Sequence, residues 1–408
     1  MRIWRSETCA WMLGLLLVAS VTSASADVVT EWNAIAAEIA SKLPGPHPAV
    51  RTMAIVQVSV FEAVNAITGR YEPFRLTMAA GAGASADAAV AAATRTVLST
   101  LVPTQQAAIE AVYQTALARI ADGAAKTDGV AVGEQAATGV LALRADDGAV
   151  APDTYRPHTT AGVYVPTTLP AVPHWGKRKP WVMSRADQFR PGPPPSLDSE
   201  VWARDYQEIK AVGSKTSAQR TPEQTVIARF WEATAPVIYW PVARSATAAP
   251  GRDASQNARL LAAVGMAMDD ALIAVFDAKY AYNFWRPITA IRNGGHDGSE
   301  ASVADPGWTP FIETPMHPEY PCAHCIVSAA LGGVLEAEFA GRPLPRLTTT
   351  SPTASGAERS WDSVGDFVQE VALARIFDGV HYRNSTQVGT AMGRQIGALA
   401  ATSMPAAR

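Results

Sequence analysis

Apolar residues along this chain recur at steps of three and four far more often than at steps of two. Between 48 and 69, Met53, Val56, Val60, Phe61, Val64 and Ile67 mark the buried face of a helix. Similar patterning predicts helices over 32–43, 85–101, 103–120 and 128–145 in the first half of the chain. It resumes at 199–212 and 221–231, then over 253–285, 322–339, 361–380 and 384–402. Punctuation supports these ends: Pro44-Gly45-Pro46, Asp122-Gly123, Asp147-Gly148, Thr221-Pro222 as N-cap and first helical residue, and Pro287. The segments 241–252, 293–318 and 342–360 read as breaks or loops. No segment carries a convincing strand pattern, and the fold class is all-α with about ten helices.

The pattern changes at 148–197, where ten prolines are interleaved with Tyr155, Tyr164, Trp175, Trp181 and Phe189. A stretch of this length without helical pattern is uncommon unless it wraps a surface or serves a site. It is read as an ordered excursion across the helices that borders a pocket, with a purely structural brace as the alternative. The organisation is then a leader at 1–26, a helical unit at 27–147, the excursion, and a second helical unit at 198–408.

Composition narrows the function. Of 408 residues, 48% are hydrophobic and 17% charged, and the net charge is −3. There is no basic face for nucleic acid, so anion affinity must come from locally placed cations. Arg2 and Arg5, the apolar run 11–21 and Ala24-Ser25-Ala26 predict a cleaved secretory signal with Asp27 as mature N-terminus. An uncleaved anchor is the alternative. No later stretch reads as a transmembrane helix, so the expected product is secreted or periplasmic, without stable membrane insertion. Cys9 leaves with the signal. Cys322 and Cys325 remain, spaced for a local disulfide in an oxidising compartment.

Three clusters carry the candidate chemistry. Lys279 and Arg286 are seven apart, which on a continuous helix places two cations on one face. Their setting among Tyr280, Tyr282, Phe284 and Trp285 points to partly buried charges that need a partner. Pro321-Cys322-Ala323-His324-Cys325 opens an apolar helix. There the free N–H groups near Ala323 bind anions, and the dipole favours neutral His324. A zinc site using Cys322 and Cys325 with His296, His317 or His324 is the alternative. Arg375 and His381 are six apart, with Gly379 between them to end the helix and turn His381 back.

Together the clusters resemble the vanadium-dependent haloperoxidases and the related type 2 phosphatidic acid phosphatases. Their pattern is K-x6-R-P, P-S-G-H and S-R-x5-H. Here Lys279-x6-Arg286-Pro287 matches in full, Pro321-Cys322-Ala323-His324 keeps Pro and His, and Ala374-Arg375-x5-His381 keeps Arg and His at their spacing. Val60-Phe61-Glu62-Ala63-Val64-Asn65, Gln188-Phe189-Arg190-Pro191 and Arg220-Thr221-x2-Gln224 resemble the bacterial haloperoxidase-like branch. The resemblance implies two helical bundles, with the anion site in the C-terminal one. It implies that His381 bonds vanadium or attacks phosphorus, and that Lys279, Arg286, Arg375 and the Ala323 N–H hold the oxygens. His324 would be the acid/base.

Four departures stand out. Cys322 replaces a serine, so the donor there is a weak thiol, or none if it is tied to Cys325. Ala323 replaces Gly, and Ala374 replaces Ser. Ser385 stands where many members carry an Asp that orients the histidine, so that support must come from elsewhere. His317, seven before His324, resembles the extra histidine of algal bromoperoxidases and is a candidate halide-site residue; a loop surface histidine is the alternative. The expected function is a vanadate-dependent haloperoxidase acting on hydrogen peroxide, halide and an organic acceptor. One alternative is a soluble acid phosphatase that acts on phosphomonoesters through a phosphohistidine and needs no cofactor. The other is a non-catalytic oxyanion-binding protein. A homo-oligomer is left open.

Overall fold

A computed structural model describes residues 27–408, and the expected signal segment 1–26 lies outside the described residues. The first helices are α1 Val28–Ala40, α2 Pro46–Thr68, α3 Ala86–Leu101, α4 Gln106–Leu117 and α5 Ala124–Leu143. After the excursion come α6 Glu200–Val212, α7 Pro222–Phe230, α8 Tyr239–Thr247, α9 Ala254–Tyr282 and α10 Pro287–Arg292. The chain ends with α11 Ala323–Glu338, a hairpin of β1 Leu347–Ser351 and β2 Ala357–Trp361, α12 Val364–Phe377 and α13 Arg383–Ser403.

The 29-residue helix α9 is the axis of the molecule. It starts on an Asp253–Gln256 capping box, and every residue from Leu260 to Phe276 is buried. A helix that is apolar on all sides needs neighbours on all sides. Helix α2 packs along one flank of α9, and α11 and α13 pack along the other. One apolar core therefore runs from Val29 through α9 to Met404.

Helices α11 and α13 approach unusually closely. A Cβ added at Gly389, Gly393 or Gly397 would lie 2.6, 2.3 and 2.3 Å from the carbonyl oxygens of Cys322, Ile326 and Ala330. This stripe on α13 lets the two backbones touch, and it fixes the start of α11 at the site.

Three expectations are corrected. Residues 241–252, read as a break, contain most of α8. Pro241 sits in its first turn, where a missing N–H costs no intrahelical bond. Residues 342–360, read as loop, form most of the antiparallel β1–β2 pair, with Leu347 opposite Trp361. Its five-residue strands pair locally, and Ser245 on α8 donates its hydroxyl near Thr348. Finally, α2 is long and apolar enough by length and composition to cross a membrane, with mean hydropathy 1.3 over its best window. Here 83% of that window is buried, because α3, α5 and α9 cover it as a core helix.

The excursion is held by a buried charge network. Arg178 donates to Asp269 Oδ1 on α9 at 2.7 Å and to Asp147 Oδ2 at 2.7 Å. Arg51 of α2 also donates to Asp147, at 2.8 Å. The Trp181, Val182 and Met183 amides donate to Asp270, and the Trp181 indole donates to Asp269. The guanidinium of Arg178 stacks 4.4 Å from the Trp175 ring centroid. These bonds bind the 175–183 segment to α2, to the end of α5 and to α9. Farther upstream, Ala171 N–H donates to the Met316 carbonyl at 2.6 Å.

Candidate active site

Lys279 lies in the last turn of α9, fully buried, with Nζ donating to the Pro318 and Glu319 carbonyls at 2.9 and 2.8 Å. Burial pushes its pKa well below the ordinary value, and Arg286 and Arg375 push the same way against Glu319. The helix ends at Tyr282, with Asn283 left-handed at φ 51°. Arg286 is therefore not on the same helix as Lys279, contrary to the sequence reading. It caps α10 after a short extended turn, and it still reaches the same place. The excursion pins that turn, since Tyr164 N–H donates to Asn283 O and Trp285 N–H to Gly162 O.

Arg286 is fully enclosed. Its Nε donates to His317 O at 2.8 Å and its Nη1 to Val380 O at 2.8 Å, with His381 Nε2 3.4 Å from Nη1. Burial lowers its pKa to about 10, with Glu319 opposing. Arg375, in the last turn of α12, donates from Nη1 to Trp231 O at 2.9 Å and lies 2.6 Å from Asp378. Burial raises Asp378 to about 7, against the pull of Arg375.

Helix α12 stops at Phe377. Gly379 then takes φ +79°, and a Cβ there would lie 2.3 Å from Gly213 O. Only glycine fits that turn, which brings His381 N–H back to within 3.2 Å of Arg375 O. His381 Nδ1 is 2.8 Å from Glu319 Oε1, which also accepts from Tyr382 N–H at 3.1 Å. A carboxylate on Nδ1 holds the proton there and leaves the Nε2 lone pair facing Arg286. Ser385 is more distant, at 3.5 Å from Nδ1. Glu319 is thus the support missing at position 385, and sequence reasoning missed it. Its signal was faint: a lone acid in Pro318-Glu319-Tyr320, between the loop at 293–318 and the helix read from 322.

His324 sits in the first turn of α11, partly open to a cavity, with Nε2 3.3 Å from Ala233 O. Burial and then Arg375 hold its pKa well below the ordinary value, so it is neutral. Ala323 is the first residue of α11, so its N–H has no intrahelical acceptor. Cys322 is not an oxyanion donor. It is disulfide-bonded to Cys325, and its sulfur accepts from Cys325 N–H as the helix cap. The same bond leaves no thiolate for zinc. His317 is buried, with Nδ1 3.0 Å from Arg286 Nη2, rather than on a loop surface.

The structure therefore brings His317, His324, Arg375 and His381 to the lining of one cavity, with Arg286 behind His317 and His381 and Lys279 on the Pro318 and Glu319 carbonyls. Lys279 and Arg286 meet carbonyls and imidazoles but no carboxylate among these bonds, and buried Arg375 Nε has no hydrogen-bond partner. A small oxyanion with more than one charge suits this donor set.

His47, in the first turn of α2, lines the same cavity and packs edge-on to Phe276 at 4.3 Å. Burial, then Arg178, lowers its pKa to about 3. A folded pKa below the unfolded one means that stability is lost as pH falls from about 6.5 toward 3. Acidification from pH 6 to 4 is thus expected to lower the urea midpoint. His47→Phe should flatten that slope by up to ~1.4 kcal/mol per pH unit. Identical slopes in the two proteins would show that His47 protonates freely in the fold.

Fold and site together define a class: a helical-bundle protein whose buried cations and histidines form a donor set suited to a small oxyanion. Residues 259–407 match the family described as the VCPO second helical-bundle domain. The chain is 23% identical over 295 residues to vanadium chloroperoxidase of Curvularia inaequalis, covering 56% of this chain and 48% of that protein. It thus spans about half the length of that curated relative. Two solved structures share the fold. The first bacterial vanadium-dependent iodoperoxidase is 24% identical with TM-score 0.78, over 92% of this chain and 96% of that one. A bacterial vanadium-dependent chloroperoxidase is 17% identical with TM-score 0.68, over 87% and 90%. Residues 259–407 are thus similar to that second helical-bundle domain, and the likeness to the solved structures is one of fold.

Proposed function

We propose that this chain is an exported, vanadate-dependent haloperoxidase that uses hydrogen peroxide to oxidise halide. The observation that carries the reading is the clamped His381. Glu319 accepts a hydrogen bond from its Nδ1–H and leaves Nε2 as a ligand atom beside Arg286, within a shell of three buried cations. Vanadate, when bound, supplies the Lewis acid that activates hydrogen peroxide toward halide. Lys279, Arg286, Arg375 and the Ala323 N–H neutralise oxygen charge. Neutral His324, in the lining of the same cavity, takes a proton from peroxide and returns one to the departing oxygen. His317, beside Arg286 in the wall, borders the halide. Export rests on the leader pattern at 1–26.

Protein loaded with vanadate and given hydrogen peroxide is expected to oxidise bromide, and His381→Ala should abolish this. Failure of the wild-type protein to bind vanadate would overturn the reading. Turnover of a phosphomonoester without vanadium, inhibited by vanadate, would replace it with the phosphatase. Oxyanion binding with neither activity would replace it with a binding protein.

A further inference from the structure

The start of α11 carries a disulfide where an oxyanion would use the free N–H groups. Cys322 is the N-cap, and its Sγ accepts from Cys325 N–H at 3.2 Å. The residues between them, Ala323 and His324, line the cavity together with Arg375 and His381. Both cysteines are fully buried, bonded to each other and pressed against α13. A Cβ on Gly389 would lie 2.6 Å from Cys322 O and 3.3 Å from Cys325 Cβ. The Cys322 sulfur therefore sits at the positive end of a 16-residue helix, one residue from the cavity that Arg375 lines. While the bond is closed this sulfur carries no charge. Arg375 Nε, buried and without a hydrogen-bond partner, shows that the closed form leaves a cationic donor unused. With the bond open the position suits an anion, because helix N-termini and nearby cations both stabilise thiolates. Such a thiolate would accept from the first-turn N–H groups and set a like charge beside any bound oxyanion.

We propose that the Cys322–Cys325 pair is a redox switch on the oxyanion site. The disulfide leaves the site open to the oxyanion, and the dithiol places a negative charge there and turns the oxyanion away. The proposal rests on the oxyanion-site reading above and holds whether that site runs a peroxidase, a phosphatase or binding alone.

Opening takes two electrons and two protons from a dithiol reductant, whose own sulfurs become a disulfide. Closing takes hydrogen peroxide. The Cys322 thiolate attacks one peroxide oxygen, the O–O bond breaks, and hydroxide leaves and takes up the proton that the thiol had lost. The Cys325 thiol then attacks the resulting sulfenic sulfur, the S–S bond forms, and a second water leaves. Two thiols and one peroxide thus give one disulfide and two waters. The site is silent in a reducing compartment and is switched on by an oxidising one or by peroxide.

The test measures binding of inorganic phosphate by calorimetry at a pH of about 9, above the ordinary thiol pKa of about 8.5. Cys325→Ser keeps Cys322 as a free thiol. It should bind phosphate about ten-fold or more weakly than the wild type, the effect of one like charge within ~10 Å at an effective dielectric of about 20. The double variant Cys322→Ser with Cys325→Ser also lacks the bond but carries no sulfur, and it should bind close to the wild-type affinity. Wild-type chain refolded from urea with both thiols reduced should bind as weakly as Cys325→Ser. One equivalent of hydrogen peroxide should then restore the wild-type affinity as both thiols disappear. Equal affinity in the wild type and Cys325→Ser would overturn the switch. So would an equal loss in the single and double variants, which would make the bond a structural staple only. Absence of phosphate binding by the oxidised wild type is a different failure, because it removes the oxyanion site on which the proposal rests.

Discussion

Glu319→Ala is expected to lower vanadate affinity by roughly 10–100-fold, the usual cost of losing a carboxylate that orients a metal-binding histidine. Glu319 is fully buried, and one oxygen serves both His381 Nδ1 and Tyr382 N–H. Alanine would leave both donors unpaired and the imidazole free to turn or to change tautomer. Burial raises Glu319 to about 7, and Lys279 and Arg286 pull it back. Glu319→Gln should restore most of the affinity, because its amide oxygen can still accept from Nδ1. Equilibrium dialysis of vanadate on the three proteins separates this from a general loss of fold. Equal affinity for wild type and Glu319→Ala would show that Ser385 or packing alone orients His381.

The second large effect is structural. Arg178→Met should cost ~3–5 kcal/mol in urea unfolding, because it breaks a buried ion pair and leaves its partner charge behind. Asp147 keeps Arg51 and Arg144, but Asp269 keeps only the Trp181 indole among these contacts. Replacing both partners, as Arg178→Met with Asp269→Leu, should recover much of the loss, since no lone charge is then buried. Vanadate affinity should change little, because neither residue touches the His381 cluster. A single-variant loss below about 1 kcal/mol would mean that water enters and solvates Asp269.

Much of this molecule was legible in its sequence because the signals are local. Apolar spacing, an N-cap such as Thr221 and a break such as Pro44-Gly45-Pro46 depend on neighbours a few residues away, and the structure places helix ends there. The identities of the cations and histidines were also legible, through spacing within three short clusters. The same local rules failed at α8, where proline was read as a break although it sat in a first turn. They failed again at Arg286, where a seven-residue spacing suggested one continuous helix and the chain instead turned at Asn283.

What only the tertiary structure decided concerns residues far apart in the chain. Glu319 meets His381 across 62 positions, and Arg286 meets it across 95. No periodicity encodes such distances. They follow from how α9, α11 and the turn after α12 pack, and packing depends on the whole core. The loss of Cys322 as a donor and the roof that α2 and the excursion place over the site belong to the same level. The sequence by itself determined most of the helices, though not α8 or α10, and which charges must be buried. The fold decided which atoms those charges face, because a buried cation takes its partner from whatever segment the core brings within reach.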